Sequence, residues 1–135
     1  MSVYFQNFDS FLQKLKALDA DCDKAARNVV NRMVNEGMAE TMKETPVDTG
    51  YLRENWQSRP ARKRGNGYSG SYSNNVFYGL YVNYGHRLVR NGKTVGYVPG
   101  FFMLEAGQEH VSRNYQRWMD TEIKNIKQKG GWGCS

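Results

Sequence analysis

The sequence is poor in the residues that build cross-linked or reactive sites. Of its 135 residues two are Cys, two are His and three are Pro. Cys22 and Cys134 are too few for a disulfide scaffold, and Cys22 falls in a helical pattern, where a small buried side chain serves packing. A structural zinc needs about four closely spaced ligands, whereas His86, His110, Cys22 and Cys134 stand singly, so neither metal nor cofactor is expected. No apolar run approaches the roughly 18 to 20 residues that span a bilayer. The start, Met1-Ser2-Val3-Tyr4-Phe5-Gln6-Asn7, lacks the basic and apolar regions of a secretory signal. A soluble protein made in the cytoplasm, with no membrane partner, is the expectation. Convergent titratable groups are missing too, and with them the basis for an enzyme. Asp48 beside Thr49 has the form of a capping pair, and His110 that of a helix-face histidine. Gly65-Asn66-Gly67 lacks the strand-to-helix surroundings of a phosphate cradle.

What is present begins with helical periodicity. From residue 8 to residue 42, Phe8, Phe11, Leu12, Leu15, Leu18, Cys22, Ala25, Ala26, Val29, Val30, Met33, Met38 and Met42 recur at three-and-four spacing. Asn7 or Asp9 can cap the start, and the acidic stretch Asp19-Ala20-Asp21-Cys22-Asp23 offers an internal cap. One continuous helix and a pair, 8–18 followed by 21–44, both fit. A helix of about 24 residues is about 36 Å long, wider than a small domain, so part of its stripe, including Val29 and Met33, is expected to overhang. A second subunit would cover it in a homo-oligomer, or the C-terminal helix would cover it within the chain. That last helix is expected over 101–128, with Arg113, Arg117, Lys124, Lys127 and Lys129 biasing its late turns positive. Residues 130–135 read as a flexible tail after a domain of residues 1–129.

Between the helices the chain is rich in Ser, Tyr, Asn and Gly. Residues 56–59 and 68–72 flank Gly65-Asn66-Gly67, and residues 87–90 and 94–98 flank Asn91-Gly92, which predicts two antiparallel hairpins. Residues 76–84 fit strand or helix. The fold class expected is α+β, a small antiparallel sheet packed against a long N-terminal helix and a C-terminal helix. The net charge of +6 is uneven: Arg59, Arg62, Lys63 and Arg64 surround the first turn, and Arg87, Arg90 and Lys93 the second. These seven are solvated loop tips, or contacts to DNA or to an acidic partner.

The most specific segment is Thr45-Pro46-Val47-Asp48-Thr49-Gly50-Tyr51-Leu52-Arg53. Pro46 disfavours helical dihedrals at Thr45 and so ends the preceding helix near Glu44. Asp48 or Thr49 can cap the next helical turn, Gly50 admits dihedrals closed to other residues, and Leu52 and Trp56, four apart, share a helical face. Further on come the aromatic segment Val76-Phe77-Tyr78-Gly79-Leu80-Tyr81-Val82-Asn83-Tyr84-Gly85-His86 and then Val98-Pro99-Gly100-Phe101-Phe102-Met103-Leu104. In their order and spacing these three landmarks, across roughly residues 8–125, resemble the lambdoid gene-ten-like family of neck and tail-completion proteins of long-tailed bacteriophages. The resemblance favours helix over residues 76–84. Two positions depart from it: many relatives have an acidic residue and Gly-Thr where this chain has Asn83-Tyr84-Gly85-His86, and Pro-Arg-Pro-Phe or Pro-Gly-Arg where it has Pro99-Gly100-Phe101-Phe102. Intersubunit contacts made there by charged residues in relatives must differ here.

The resemblance implies a virion structural protein of the neck or upper tail, joining head connector to tail, with other phage connector and tail proteins as neighbours. It implies a ring around the DNA channel and non-specific contact with genomic DNA. Tyr78, Tyr81 and Tyr84, with Val29 and Met33, are the expected subunit-interface residues. The alternative from another class is a small basic nucleic-acid-binding module that uses the hairpins and tyrosines on single strands.

Overall fold

The computed structural model describes residues 1–6, 20–47, 50–65 and 67–130. In chain order the elements are β1 (Ser2–Gln6), α1 (Ala20–Glu44), α2 (Gly50–Glu54), β2 (Trp56–Arg64), β3 (Gly67–Asn74), α3 (Gly79–Tyr84), β4 (Gly85–Arg90), β5 (Lys93–Pro99) and α4 (Met103–Gly130). The result is an α+β fold, with one three-stranded antiparallel sheet in the order β1-β3-β2 and a separate β4–β5 hairpin.

The three-and-four stripe of α1 is what assembles the core. Ala25, Ala26, Val29, Val30, Met33 and Val34 are buried together with Tyr68 and Tyr72 of β3 and Met103, Val111 and Trp118 of α4. The helices α1 and α4 pack along each other more extensively than any other pair of elements. The expected overhang at Val29 and Met33 is therefore corrected: these residues are 1% and 4% exposed within the single chain, because α4 and the sheet together cover the stripe. They offer no surface to another subunit in this fold.

The two helices approach closely where neither has a side chain. A Cβ on Gly107 would collide with Thr41 Oγ1, Tyr72 Oη and the Gly37 carbonyl, the last at 2.6 Å. A buried polar chain runs beside that crossing. Thr41 and Tyr72 share a hydroxyl hydrogen bond of 2.9 Å, Thr45 Oγ1 donates to the Thr41 carbonyl at 2.8 Å, and Trp56 Nε1 donates to Thr45 Oγ1 at 3.1 Å. At its wetter edge Arg32 Nε donates to Glu36 Oε2 at 2.6 Å, and His110 Nε2 of α4 lies 3.2 Å from Glu36 Oε1. Burial opposes ionisation of Glu36, but the Arg32 and His110 contacts outweigh it and hold the carboxyl below its ordinary value. The Arg32 guanidinium also sits 5.1 Å from the Trp118 ring centre, a cation–π contact that joins the two helices.

Strand β1 is an element that no pattern in the sequence announces. It pairs antiparallel with β3, Val3 opposite Tyr72 and Phe5 opposite Gly70, and buries Val3 and Phe5 while Tyr4 stays exposed. Both expected hairpins form. The β4–β5 turn has Asn91 and Gly92 both at positive φ, 53° and 77°, the backbone that matches strand twist in a two-residue hairpin. The middle of the other turn, Asn66, lies outside the described residues, as do the expected helix 8–18, the caps Asn7 and Asp9, and Cys134. Of residues 76–84, Gly79–Tyr84 form the short helix α3, and residues 77–78 form the turn that leads into it. The last helix continues to Gly130, two residues past its expected end; residues 131–135 of the expected tail are outside the described residues.

Candidate functional site

The three landmarks, scattered over about sixty residues of sequence, meet in space. α1 ends at Glu44, as Pro46 requires, and Thr45 N–H closes the turn on the Met42 carbonyl at 3.1 Å. Leu52 of α2 is fully buried, its carbonyl accepts Asn74 Nδ2 at 2.7 Å, and it lies against the start of α3, where a Cβ on Gly79 would stand 3.6 Å from Leu52 Cδ1. Trp56 does not extend this turn as a helix but opens β2, and is buried all the same.

The far end of α3 holds the third landmark. Asn83 is buried. Its Oδ1 accepts Leu104 N–H at 3.1 Å and its Nδ2 donates to Glu105 Oε2 at 3.1 Å. Its carbonyl accepts Phe102 N–H at 2.9 Å, and the Val82 carbonyl accepts Phe101 N–H at 3.0 Å. α4 thus begins without a local capping side chain, and Asn83 supplies one from another element. The approach is tight: a Cβ on Gly100 would meet Tyr84 C at 2.5 Å and Gly85 N at 2.7 Å. Phe102, at φ 50°, is held in the left-handed region that non-glycine residues rarely occupy. The Tyr84 hydroxyl is pushed above its ordinary pKa, by burial first and then by the Glu105 charge.

Around this frame the surface is aromatic and open. Phe77 is 86% exposed, and Leu80, Tyr81, Tyr84, Phe101 and Phe102 are each about half exposed or more. Tyr78 is half-buried against the core. Of the expected interface residues, then, Tyr81 and Tyr84 are on the surface, Tyr78 is partly so, and Val29 and Met33 are interior.

The turn residues divide likewise. Leu52 and Pro46 belong to the frame, while Asp48 and Thr49 lie outside the described residues. Gly50 is corrected: it is the first residue of α2, it is not among the positive-φ glycines, and nothing lies within 4 Å of the Cβ it lacks. Its helical position needs no special dihedral.

The seven basic residues are exposed and fall on two separate sheets. Arg59, Arg62, Lys63 and Arg64 are on β2; Arg87 and Arg90 are on β4 and Lys93 on β5. The β4–β5 hairpin has α3 as its main neighbour beyond its own pairing and exposes Leu88, Val89, Val95 and Tyr97. In the sequence Asn83 stands out only as a departure from a pattern, although it ties the frame together. Its signal was the absence of Ser, Thr, Asp or Asn just before Met103.

Among the described residues no cluster of three or more His, Cys, Asp or Glu could hold a metal, and no helix is long and apolar enough to cross a membrane. The groups that converge here position backbone and present apolar surface.

The family described as "Bacteriophage HK97-gp10, putative tail-component" matches residues 9–85, more than half of the chain. The chain belongs to this family. The matched region takes in the Pro46–Leu52 turn and the aromatic segment through Gly85, and stops before the landmark at 98–104. No curated protein and no solved structure matches the chain. Membership supports a structural, tail-related role in a bacteriophage, located in the virion and in contact with other tail proteins.

Proposed function

We propose that the protein is a non-enzymatic structural component of the neck or upper tail, which joins the head connector to the tail and assembles as a homo-oligomeric ring around the DNA channel. Residues 1–129 act as the assembling domain. The observation that carries this reading is the exposed aromatic surface on and around α3. Phe77, Leu80, Tyr81, Tyr84, Phe101 and Phe102 are displayed by a backbone that Asn83, Gly100 and Leu52 hold rigidly. Apolar side chains gathered in this way mark a surface that another protein covers, and aromatic anchors on a preorganised backbone lose little entropy on binding.

A ring needs two different complementary surfaces on each subunit. The α3 surface is one, and the β4–β5 hairpin, apolar along its length and basic at Arg87, Arg90 and Lys93, is the other. The neighbours above and below are the connector and the tail tube.

Light scattering of the purified protein over a concentration series, followed by electron microscopy, tests this. A discrete oligomer that appears as a closed ring is the expected result. A strict monomer at every concentration, with no rings by microscopy, would overturn the ring assembly.

A further inference from the structure

We infer that the face of the β1–β3–β2 sheet turned away from α1 is a groove for the phosphodiester backbone of duplex DNA, with Arg59, Arg62 and Arg64 as its cationic contacts. This rests on the reading of the protein as a ring around DNA, and it narrows seven basic residues to three.

Strand alternation builds the groove. On β3, Tyr72 reaches Thr41 of α1, and a Cβ on Gly70 would press on Val30 and Val34 of the same helix. Ser69 and Ser71 therefore face the other way. The register places Tyr4 and Arg59 on either side of Ser71, Arg62 beside Ser69, and Arg64 across from Gly67. Lys63, opposite Tyr68, belongs to the α1 face. Between Arg59 and Arg62 the strand bulges, and the Ala61 N–H is taken by Asn31 Oδ1 of α1 at 2.6 Å, which fixes the bulge to the helix. Tyr4, Arg59, Arg62, Arg64, Ser69 and Ser71 then line a cleft of about 350 Å³.

The cleft carries guanidinium and hydroxyl groups that are free to donate. Ser69 and Ser71 are only 7% and 5% exposed, and among the described residues neither hydroxyl has a hydrogen-bond partner. Nor does any of the three arginines have an ion-pair partner among them. Guanidinium forks with Ser and Tyr hydroxyls are the set that holds phosphate oxygens.

Two features select a duplex backbone over the other anions. Arg59, Arg62 and Arg64 stand opposite Ser71, Ser69 and Gly67, a span of four strand steps or about 13 Å, and one DNA strand presents a phosphate about every 3.4 Å of axis rise, so the stripe meets several successive phosphates. Stacking on unpaired bases requires a platform of aromatics, and the cleft has Tyr4 alone. Contacts made to phosphate oxygens are independent of sequence, as DNA moving through a channel requires.

The test is fluorescence anisotropy of a labelled random-sequence duplex between about 50 and 200 mM salt. The variants are Arg59→Gln/Arg62→Gln, whose side chains are exposed, and Arg87→Gln/Arg90→Gln on the separate hairpin, with circular dichroism and melting confirming the fold of each. The wild type binds with salt-dependent affinity. Each lost phosphate contact lowers the log–log slope by about 0.9, so the β2 variant loses about 2 from the slope and its affinity changes about tenfold less across that salt range, while the hairpin variant keeps the wild-type slope. An unchanged slope in the β2 variant overturns the inference. So does absence of duplex binding at the lowest salt, or displacement of the duplex by polyglutamate or by single-stranded DNA at lower concentration than by unlabelled duplex. A ring with no groove-dependent binding would leave the neck reading standing without the groove, and a strict monomer with groove-dependent binding would leave the groove without the ring.

Discussion

Asn83 Oδ1 accepts the Leu104 N–H at 3.1 Å, so a side chain at the end of α3 caps a helix that begins in a landmark 21 positions further along. The same amide donates to Glu105, and Asn83 therefore joins the aromatic segment to the C-terminal helix through both of its polar atoms.

Replacing Asn83 by Leu removes the cap and leaves a buried N–H without its acceptor, at a cost of about 1 to 3 kcal/mol. The expected outcome is a lower urea midpoint with little change in slope. Asn83→Asp keeps the acceptor but faces the Glu105 carboxylate, so its loss should be larger at neutral pH than at mildly acidic pH. A Leu variant as stable as wild type would show that α4 starts unaided.

Two glycines should behave in opposite ways. Gly107→Ala drives a methyl group into Thr41, Tyr72 and the Gly37 carbonyl at the α1–α4 crossing, and overpacking of this kind costs about 1 to 3 kcal/mol or more. Gly50→Ala meets nothing within 4 Å at a helical position, so restricting the unfolded chain should raise stability by about 0.4 to 1 kcal/mol. Thermal melting of the pair checks both signs at once.

The contrast between those glycines marks what could be read in the sequence. Local signals were legible: Pro46 stopping α1, Asn91-Gly92 turning a hairpin, and three-and-four spacing over 25–34 marking a buried helix face. They are short-range effects of dihedral preference and amphipathic period. What covers the Val29 and Met33 stripe was left open, because periodicity shows that a face is buried but not which element buries it. β1 is not legible in Val3-Tyr4-Phe5, three large side chains in a row whose alternate burial appears only once the strand pairs with β3. The Asn83 contact depends on the third landmark folding back onto α3. The division of the basic residues between a cleft and a hairpin likewise depends on register, which no local pattern states.

Alkaline pH should weaken the fold through Tyr72. Burial, opposed by the Thr41 hydrogen bond and aided by the Glu105 charge, raises its hydroxyl from the ordinary value of 10 to about 12. In the unfolded chain the proton leaves near pH 10, so from there to about pH 12 ionisation favours the unfolded state alone. The stability present below pH 10 falls by up to about 1.4 kcal/mol per pH unit across that window. Urea midpoints measured at pH 8, 10 and 11 should decline in the wild type and decline less steeply in Tyr72→Phe. Parallel declines would assign the alkaline loss to other groups.

The aromatic surface should matter to assembly and not to folding. Phe77 and Tyr81 are 86% and 59% exposed, and their contacts are with near neighbours, Tyr78 and His86. Truncating them removes little buried area from the single chain, so Phe77→Ser/Tyr81→Ser should melt within about 0.5 kcal/mol of wild type, as surface substitutions do. In a subunit interface the same side chains would be fully desolvated anchors, each typically costing about 2 kcal/mol or more when truncated. Light scattering at matched concentration should then shift from the wild-type oligomer toward monomer. If the wild type assembles and the double variant keeps its mass, the contact lies elsewhere, and the exposed Leu88, Val89, Val95 and Tyr97 of the β4–β5 hairpin become the surface to truncate next.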